Sequence, residues 1–415
     1  CFYPNAGTVA LTLSPGSSPF NRTEVDRMMS YFLNNIDIDG RGGVIAAPDT
    51  NTGPGGNYEY AWMRDAALSM RTLMFTNSNA ALIDAKMRSY VSWVLSVQNE
   101  ADPHEQDVRT EPKFLLPDGE VFPGAWCRPQ TDGPGLRGGT LALYAILLID
   151  AGQIDYVRQY LYTGSQSYNG GAVVFDLNWV ADNWPNNGCD LWEELQSNDF
   201  FWNRYNMRYG LAQGIELALK MNDTDTANRW KSAKQSIEST LSAHYNGQFV
   251  YESTNRQQDS AVLLAFNHGD LDDGTFSSVS PEVAGTISTL SSLFTDMFSI
   301  NGPNSPAGLN GVLMGRYQGD TYNGGNPWVL CSAALAQLYY RGATATLVAN
   351  ELPSDEAMVH FRKLLNIDEK VELSVRDFAL ALTNQGDAVL LKIRYYTARY
   401  AFHQPEQLER DSGDL

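Results

Sequence analysis

Apolar residues return every three or four positions through most of this chain, and that period decides the fold class before composition is considered. Behind a capping Asn21, the stretch from Thr23 to Ile36 carries Val25, Met28, Met29, Phe32 and Leu33 at helical spacing. The same spacing recurs at about 64–76, 80–99, 136–152, 200–221, 225–244, 280–300, 327–342, 354–365 and 373–401. Long segments rich in Gly, Asn, Pro and Trp separate these stretches, at 40–62, 102–135, 164–190 and 301–326. Loops of that length inside a folded domain usually carry function. Paired helices alternating with aromatic loops predict an all-α toroid of helical hairpins whose binding face is built from the loops. No Ser/Thr/Pro-rich tract interrupts the pattern, and Gly53-Pro-Gly-Gly56 is too short for a linker, so residues 1–415 are read as a single domain.

Charge narrows the partners. With 29 Lys and Arg against 48 Asp and Glu, the formal net charge is −19. Nucleic-acid phosphates need clustered cations, and anionic membranes need the same, so neither is an expected partner. The longest apolar run, Leu141 to Ile149, falls far short of the roughly 20 residues that span a bilayer. Cys1, Cys127, Cys189 and Cys331 form no CxxC or Cys/His cluster, so no metal site and no cofactor is expected. In an oxidising compartment they allow up to two disulfides, with the pairing open. The chain begins on Cys1 rather than Met, is poor in Lys, and has sequons at Asn21 and Asn222; together these features favour a secreted protein with N-glycans at those asparagines. A monomer is expected.

Four polar-aromatic segments carry the chemistry. Asp190-Leu-Trp-Glu-Glu194 sets three carboxylates around Trp192. Were it helical, Asp190 and Glu193 would share a face, with Glu194 rotated about 100° away. A carboxyl beside apolar rings keeps its proton more readily, which suits a general acid. The plainer reading is a solvated acidic first turn of a helix. Tyr58-Glu-Tyr-Ala-Trp-Met-Arg-Asp65 sets Arg64 beside Asp65 as a clamp for hydroxyls, with Trp62 as a stacking surface; a capping Asp at the edge of an aromatic core is the plainer account. Trp126-Cys-Arg-Pro-Gln, followed by Asp132-Gly-Pro, offers the flat aromatic and polar groups that a pyranose face and edge require, or else a surface turn. Gly315-Arg-Tyr-Gln-Gly-Asp320 runs on to Asn326-Pro-Trp328, a loop expected to enter a helix with Pro327 at its first position.

In this order and context, Trp62-Met-Arg-Asp65, Trp126-Cys-Arg-Pro-Gln with Asp132-Gly-Pro, Asp190-Leu-Trp-Glu-Glu194 and Asn326-Pro-Trp328 resemble the fungal glucoamylases of glycoside hydrolase family 15, from about residue 24 to 413. The resemblance implies an (α/α)6 barrel that releases β-glucose from the non-reducing ends of α-1,4-glucans by inversion. It implies Glu193 as general acid, with Asp190 as its carboxylate neighbour and Glu194 as a sugar ligand. Arg64 and Asp65 match the clamp on the terminal glucose, and Tyr58, Trp62, Trp126 and Trp184 match aromatic lining. The same segments add Arg128, Trp192 and Trp328 as candidate substrate contacts. No starch-binding module is expected.

The pattern breaks in two places. Inversion needs a second carboxylate about 6.5–9.5 Å from the acid. The family supplies it from Arg-Tyr-Pro-Glu-Asp, whereas this chain reads Arg316-Tyr-Gln-Gly319-Asp320. The family's Ser-Pro-Arg is here Ser280-Pro281-Glu282. Losing a general base costs about 10²–10⁴-fold in rate. Three accounts follow: Asp320 or Glu282 serves as a substitute base; the chemistry or substrate has changed to one needing only Glu193; or the fold survives as a catalytically silent carbohydrate-binding protein.

Overall fold

Asn21 and Glu24 open the first helix reciprocally. The Asn21 side chain accepts from the Glu24 N–H at 3.0 Å, and the Glu24 carboxylate accepts from the Asn21 N–H at 2.9 Å. That helix, α1 (Arg22–Asn34), is the first of thirteen α-helices in the computed structural model, which describes residues 18–50, 57–76, 79–164 and 170–414. Cys1 and the Gly53–Gly56 stretch lie outside the described residues, as do the readings placed there.

The chain clusters into two units. Among the described residues, the first takes in Phe32–Leu241, and the second combines residues 18–31 with those from Ser242 onward. In the first unit α2 (Met63–Thr76), α3 (Ala80–Val97), α4 (Gly133–Asp150), the single turn α5 (Ile154–Tyr156), α6 (Ala172–Asn183), α7 (Phe201–Lys220) and α8 (Thr224–Leu241) follow one another. Helix α4 packs on α2, α6 and α7, and α7 packs on α8. The α4–α7 crossing brings backbone against backbone, since a Cβ on Gly139 would lie 2.8 Å from the Gly210 Cα. Only glycine permits that approach. Arg137 of α4 and Asp176 of α6 close the centre with two 2.7 Å contacts, both side chains fully buried.

Among the described residues, three two-stranded ribbons punctuate these helices. Strands β1 (Ile36–Ile38) and β2 (Gly43–Val44) pair, as do β3 (Ala61–Trp62) with β4 (Lys113–Phe114) and β5 (Gly188–Cys189) with β6 (Gln196–Ser197). In the second unit α9 (Ala261–His268), α10 (Pro281–Met297), α11 (Val329–Ala349), α12 (Asp355–Leu365) and α13 (Val375–Thr397) form the layers, with α11 on α9 and α13 and α10 on α12. Arg394 of α13 clamps Glu24 at 2.7 and 2.9 Å, tying α1 into this unit and holding the Glu24 carboxyl below its usual range.

Several expectations need correction. Residues 164–190, read as loop, contain α6. Its sequence Ala-Val-Val-Phe-Asp-Leu-Asn-Trp-Val is buried at seven positions and so shows little amphipathic contrast. Helix α9 was missed because its first six residues are all buried. Helix α4 starts at Gly133, three residues early, with Pro134 in its first turn. Pro327 is not the first residue of α11. Trp328 is the N-cap instead, because its backbone is extended, bridges Gln407 and donates to the Met314 carbonyl at 2.7 Å. Finally, Asp190–Leu195 is not helical: it is the turn joining β5 to β6.

Candidate active site

That turn is built by Asp190. Its backbone N–H donates to the Leu195 carbonyl at 2.9 Å, and its Oδ1 accepts from the N–H groups of Glu194 (2.7 Å) and Leu195 (2.8 Å). The side chain is 2% exposed, so it works on the turn from inside. Glu193 sits at the crest with φ +65°, a left-handed conformation costing a non-glycine residue about 1–2 kcal/mol. Strain of this kind persists where the surroundings impose it.

The surroundings of Glu193 are four donors. Oε1 accepts from Trp62 Nε1 (3.0 Å), Arg64 Nη2 (3.1 Å) and Gln130 Nε2 (2.6 Å), while Oε2 accepts from Trp126 Nε1 at 2.6 Å. Three elements place them. Trp62 ends β3 and Arg64 lies in the first turn of α2, two residues later, whereas Trp126 and Gln130 lie on the loop before α4. The Cys127–Cys189 disulfide joins that loop to β5, and Cys189 N–H donates to the Pro129 carbonyl at 2.8 Å. The pairing that sequence left open is thus settled for these two cysteines; Cys331 is a buried free thiol.

Arg64 is itself held. Its Nη1 donates to Asp132 Oδ2 (3.0 Å) and Gln130 Oε1 (3.2 Å), and Trp202 Nε1 donates to the same Asp132 oxygen at 2.8 Å. Burial works against the guanidinium's charge, but Asp132, Glu193 and Asp65 together outweigh it and hold Arg64 charged. Asp65 keeps 42% of its side-chain surface open, with an oxygen 3.9 Å from Arg64 Nε. Desolvation raises its carboxyl above the usual range and Glu193 adds to that, against the pull of Arg64.

Aromatic rings wall the site. Trp62 lies with its ring centroid 6.1 Å from Tyr58 and 6.0 Å from Trp126. Tyr60 and Phe122 complete the group, at 5.8 Å from Trp62 and 6.1 Å from Trp126. Under them lies Lys113, which sequence reasoning passed over. The one available signal was a lone cation, Glu111-Pro-Lys-Phe-Leu-Leu116, at the head of an apolar run.

The other candidates are placed differently. Arg128 is buried and commits every guanidinium nitrogen to protein: Nε to Glu111 at 2.9 Å, Nη1 to the Gly124 carbonyl and Nη2 to the Phe122 carbonyl. Its geometry is that of a loop brace. Trp184 caps the end of α6 and Trp192 lies on the Asp190 turn, both half-buried, while Glu194 is exposed. Asp320, Glu282 and Trp328 belong to the second unit. Asp320 is locked by Arg316 through contacts of 2.8 and 2.6 Å, both side chains 3% exposed, and also accepts from the Tyr322 N–H. Glu282 stands in the first turn of α10, after the Ser280 cap, where a carboxylate is favoured by the helix dipole. Trp328 is 9% exposed and stacks near Arg316, 5.0 Å from its ring centroid. Gly319 has φ +87°, and a Cβ built there meets nothing within 4 Å.

Glu193 is thus a half-buried carboxyl ringed by indole, amide and guanidinium donors and set against a cluster of aromatic rings. The chain belongs to glycosyl hydrolases family 15, whose model matches residues 27–415. The relatives it matches are fungal glucoamylases. It is 29% identical to the glucoamylase of Blastobotrys adeninivorans, over 95% of this chain and 68% of the relative, and 34% identical to glucoamylase 1 of Rhizopus oryzae, over 74% and 52%. Against the Rhizopus protein, therefore, the match spans about half of the relative's length. Among solved structures, the Hormoconis resinae glucoamylase superposes with TM-score 0.81 at 25% identity, over 95% of this chain and 69% of that one. The Saccharomycopsis fibuligera glucoamylase gives 0.80 at 26%, over 96% and 93%. The fold class is accordingly that of the family, all-α with the (α/α)6 barrel.

Proposed function

We propose that this protein hydrolyses α-glucosides from the non-reducing end, with Glu193 as the proton donor. The observation that carries the reading is the asymmetric support of that carboxyl: three donors converge on Oε1, and Trp126 alone is on Oε2. A carboxyl oxygen has two lone-pair sites. Oε1 is saturated, so the proton that leaves with the glycosidic oxygen resides on Oε2. As the proton departs, the donors already in place stabilise the carboxylate without reorganising. Asp65 and Arg64 supply acceptor and donor for hydroxyls of the terminal sugar, and Tyr58, Trp62, Trp126, Trp184 and Trp192 supply apolar faces. Glu194, exposed beside the acid, is a further hydroxyl acceptor.

The second half of inversion, activation of water, falls on a position occupied by Gly319, and Asp320 is a poor replacement because it is buried, paired with Arg316 and has three of its four lone-pair sites engaged by Arg316 and Tyr322. The reading therefore includes slow turnover. Substrate preference among α-1,4 and α-1,6 linkages belongs to the same proposal, as do a monomeric state, secretion and N-glycans. The exposed Asn21 and Asn222 and the Cys127–Cys189 disulfide support the last two. Among the described residues no helix is long and apolar enough to cross a membrane.

The deciding experiment is a sensitive glucose-release assay on maltose, isomaltose and starch with wild type, Glu193→Gln and Gly319→Glu. Wild-type release above that of Glu193→Gln supports hydrolysis through Glu193. Equal background from both sinks it and leaves a carbohydrate-binding protein. A large gain in Gly319→Glu identifies the missing base as the cause of slow turnover.

A further inference from the structure

The Lys113 side chain is mostly enclosed. The residue is 2% exposed, and among the described residues its ammonium makes no hydrogen bond or ion pair. What surrounds its ammonium is aromatic: Nζ lies 3.3 Å from the Trp126 ring centroid, 4.1 Å from Phe122, 4.3 Å from Trp62 and 4.5 Å from Tyr60. A desolvated cation over π faces is attracted by each ring's quadrupole, most strongly by Trp. The placement is imposed from the backbone, because Lys113 is the direct antiparallel partner of Trp62 across β3 and β4. Two of the four rings, Trp62 and Trp126, are also the two that donate Nε1–H to Glu193, one to each carboxyl oxygen.

We propose that Lys113 is a positioning residue for the proton donor, its ammonium fixing the two indoles that grip Glu193 from either oxygen. The proposal rests on Glu193 being that donor only for its effect on rate. An ammonium enclosed mainly by rings is an expensive way to fill space; a Met or Leu would pack there at lower cost. The ammonium does what an apolar side chain cannot. It attracts four rings towards one point and lies close enough to Glu193 for their opposite charges to interact. Burial pushes its titration down to about 8, against the attraction of Glu193 and with the repulsion of Arg128. The charged groups that act on Lys113 are Glu193 and Arg128; Glu193 is in turn paired with Arg64, which also holds Asp132, and Arg128 is paired with Glu111.

The test reads the indole Nε1–H resonances of Trp62 and Trp126, assigned by single Trp→Phe changes, together with turnover. In Lys113→Met both resonances are expected to move towards the values of a weaker hydrogen bond. Turnover falls about tenfold to a hundredfold with KM within about twofold, as for loss of a preorganised donor. Should Lys113→Met fail to fold, wild type titrated from pH 6 to 10 serves instead, and the two resonances should move together near pH 8. Unmoved resonances in the variant or in that titration overturn the proposal. If the resonances move while Glu193→Gln releases as much glucose as wild type, the functional reading fails and the positioning role of Lys113 stands.

Discussion

Trp126 Nε1 lies 2.6 Å from Glu193 Oε2, and among the described residues it is the only donor to that oxygen. The other oxygen has three. This asymmetry singles Trp126 out among the site's aromatics. Trp126→Phe keeps most of the apolar wall and deletes that one hydrogen bond. Turnover is expected to fall about tenfold to a hundredfold, with a smaller change in KM, measured by steady-state glucose release.

Asp132 anchors Arg64 from behind. Its side chain is 2% exposed and binds both Arg64 Nη1 and Trp202 Nε1. Asp132→Asn leaves a buried guanidinium short of its nearest charge, so unfolding free energy should drop by about 3–5 kcal/mol. Urea denaturation monitored by circular dichroism reads this directly. A drop below 1 kcal/mol, within the range of an exposed pair, would mean that solvent reaches Arg64.

The Cys127–Cys189 bridge closes a 62-residue separation and joins the Trp126 loop to the Glu193 turn. Cys127→Ser with Cys189→Ser should lower stability by about 4 kcal/mol on the loop-entropy model. Activity should suffer beyond that, since Trp126 and Glu193 lose their shared tether. Comparing glucose release at a temperature where both proteins remain folded separates the two effects.

Gly319 predicts a cost that space alone would miss. A Cβ there meets nothing, yet φ is +87°, so Gly319→Ala should still lose about 1 kcal/mol. Thermal denaturation of Gly319→Ala supplies the correction needed when the Gly319→Glu assay is read, because the glutamate variant carries the same backbone strain.

Lys392 gives a pH signature away from the site. It is fully buried in α13, donates to the Gly311 carbonyl at 2.9 Å, and burial lowers its titration to about 8. Below that pH both folded and unfolded chains hold the proton, and the native state bears the cost of a buried charge. Between about 8 and the ordinary lysine value near 10.4 the unfolded chain binds more protons, so stability rises with pH. Relative to Lys392→Met, wild type should therefore gain stability from pH 8 to 10, with a flat difference from pH 6 to 7.5. Chemical denaturation across that range checks it.

Much of the helical framework was legible, because amphipathic periodicity is a local property. Helices α3, α7, α8, α12 and α13 lie close to where the apolar spacing placed them. Helix α6 was hidden for the opposite reason: buried on nearly every side, it has no polar face to reveal its period. At the site, sequence singled out Trp62, Arg64, Trp126 and Glu193, since aromatic and charged residues in short runs are visible without a structure. It misjudged the conformation of Asp190–Glu194, where an i,i+3 relation suited to a helix proved to be a strained turn held by the Asp190 side chain.

What the sequence by itself determined was the all-α class and, through four motifs in order, the family; it also singled out the Glu193 carboxyl. Tertiary structure decided how that carboxyl is held. The four donors to Glu193 lie 63 to 131 residues away in sequence, and Lys113 reaches its rings only because β3 and β4 pair in one register. Hydrogen bonds and cation–π contacts act over a few ångströms, so residues so far apart along the chain can share them only once the backbone has folded to bring them together.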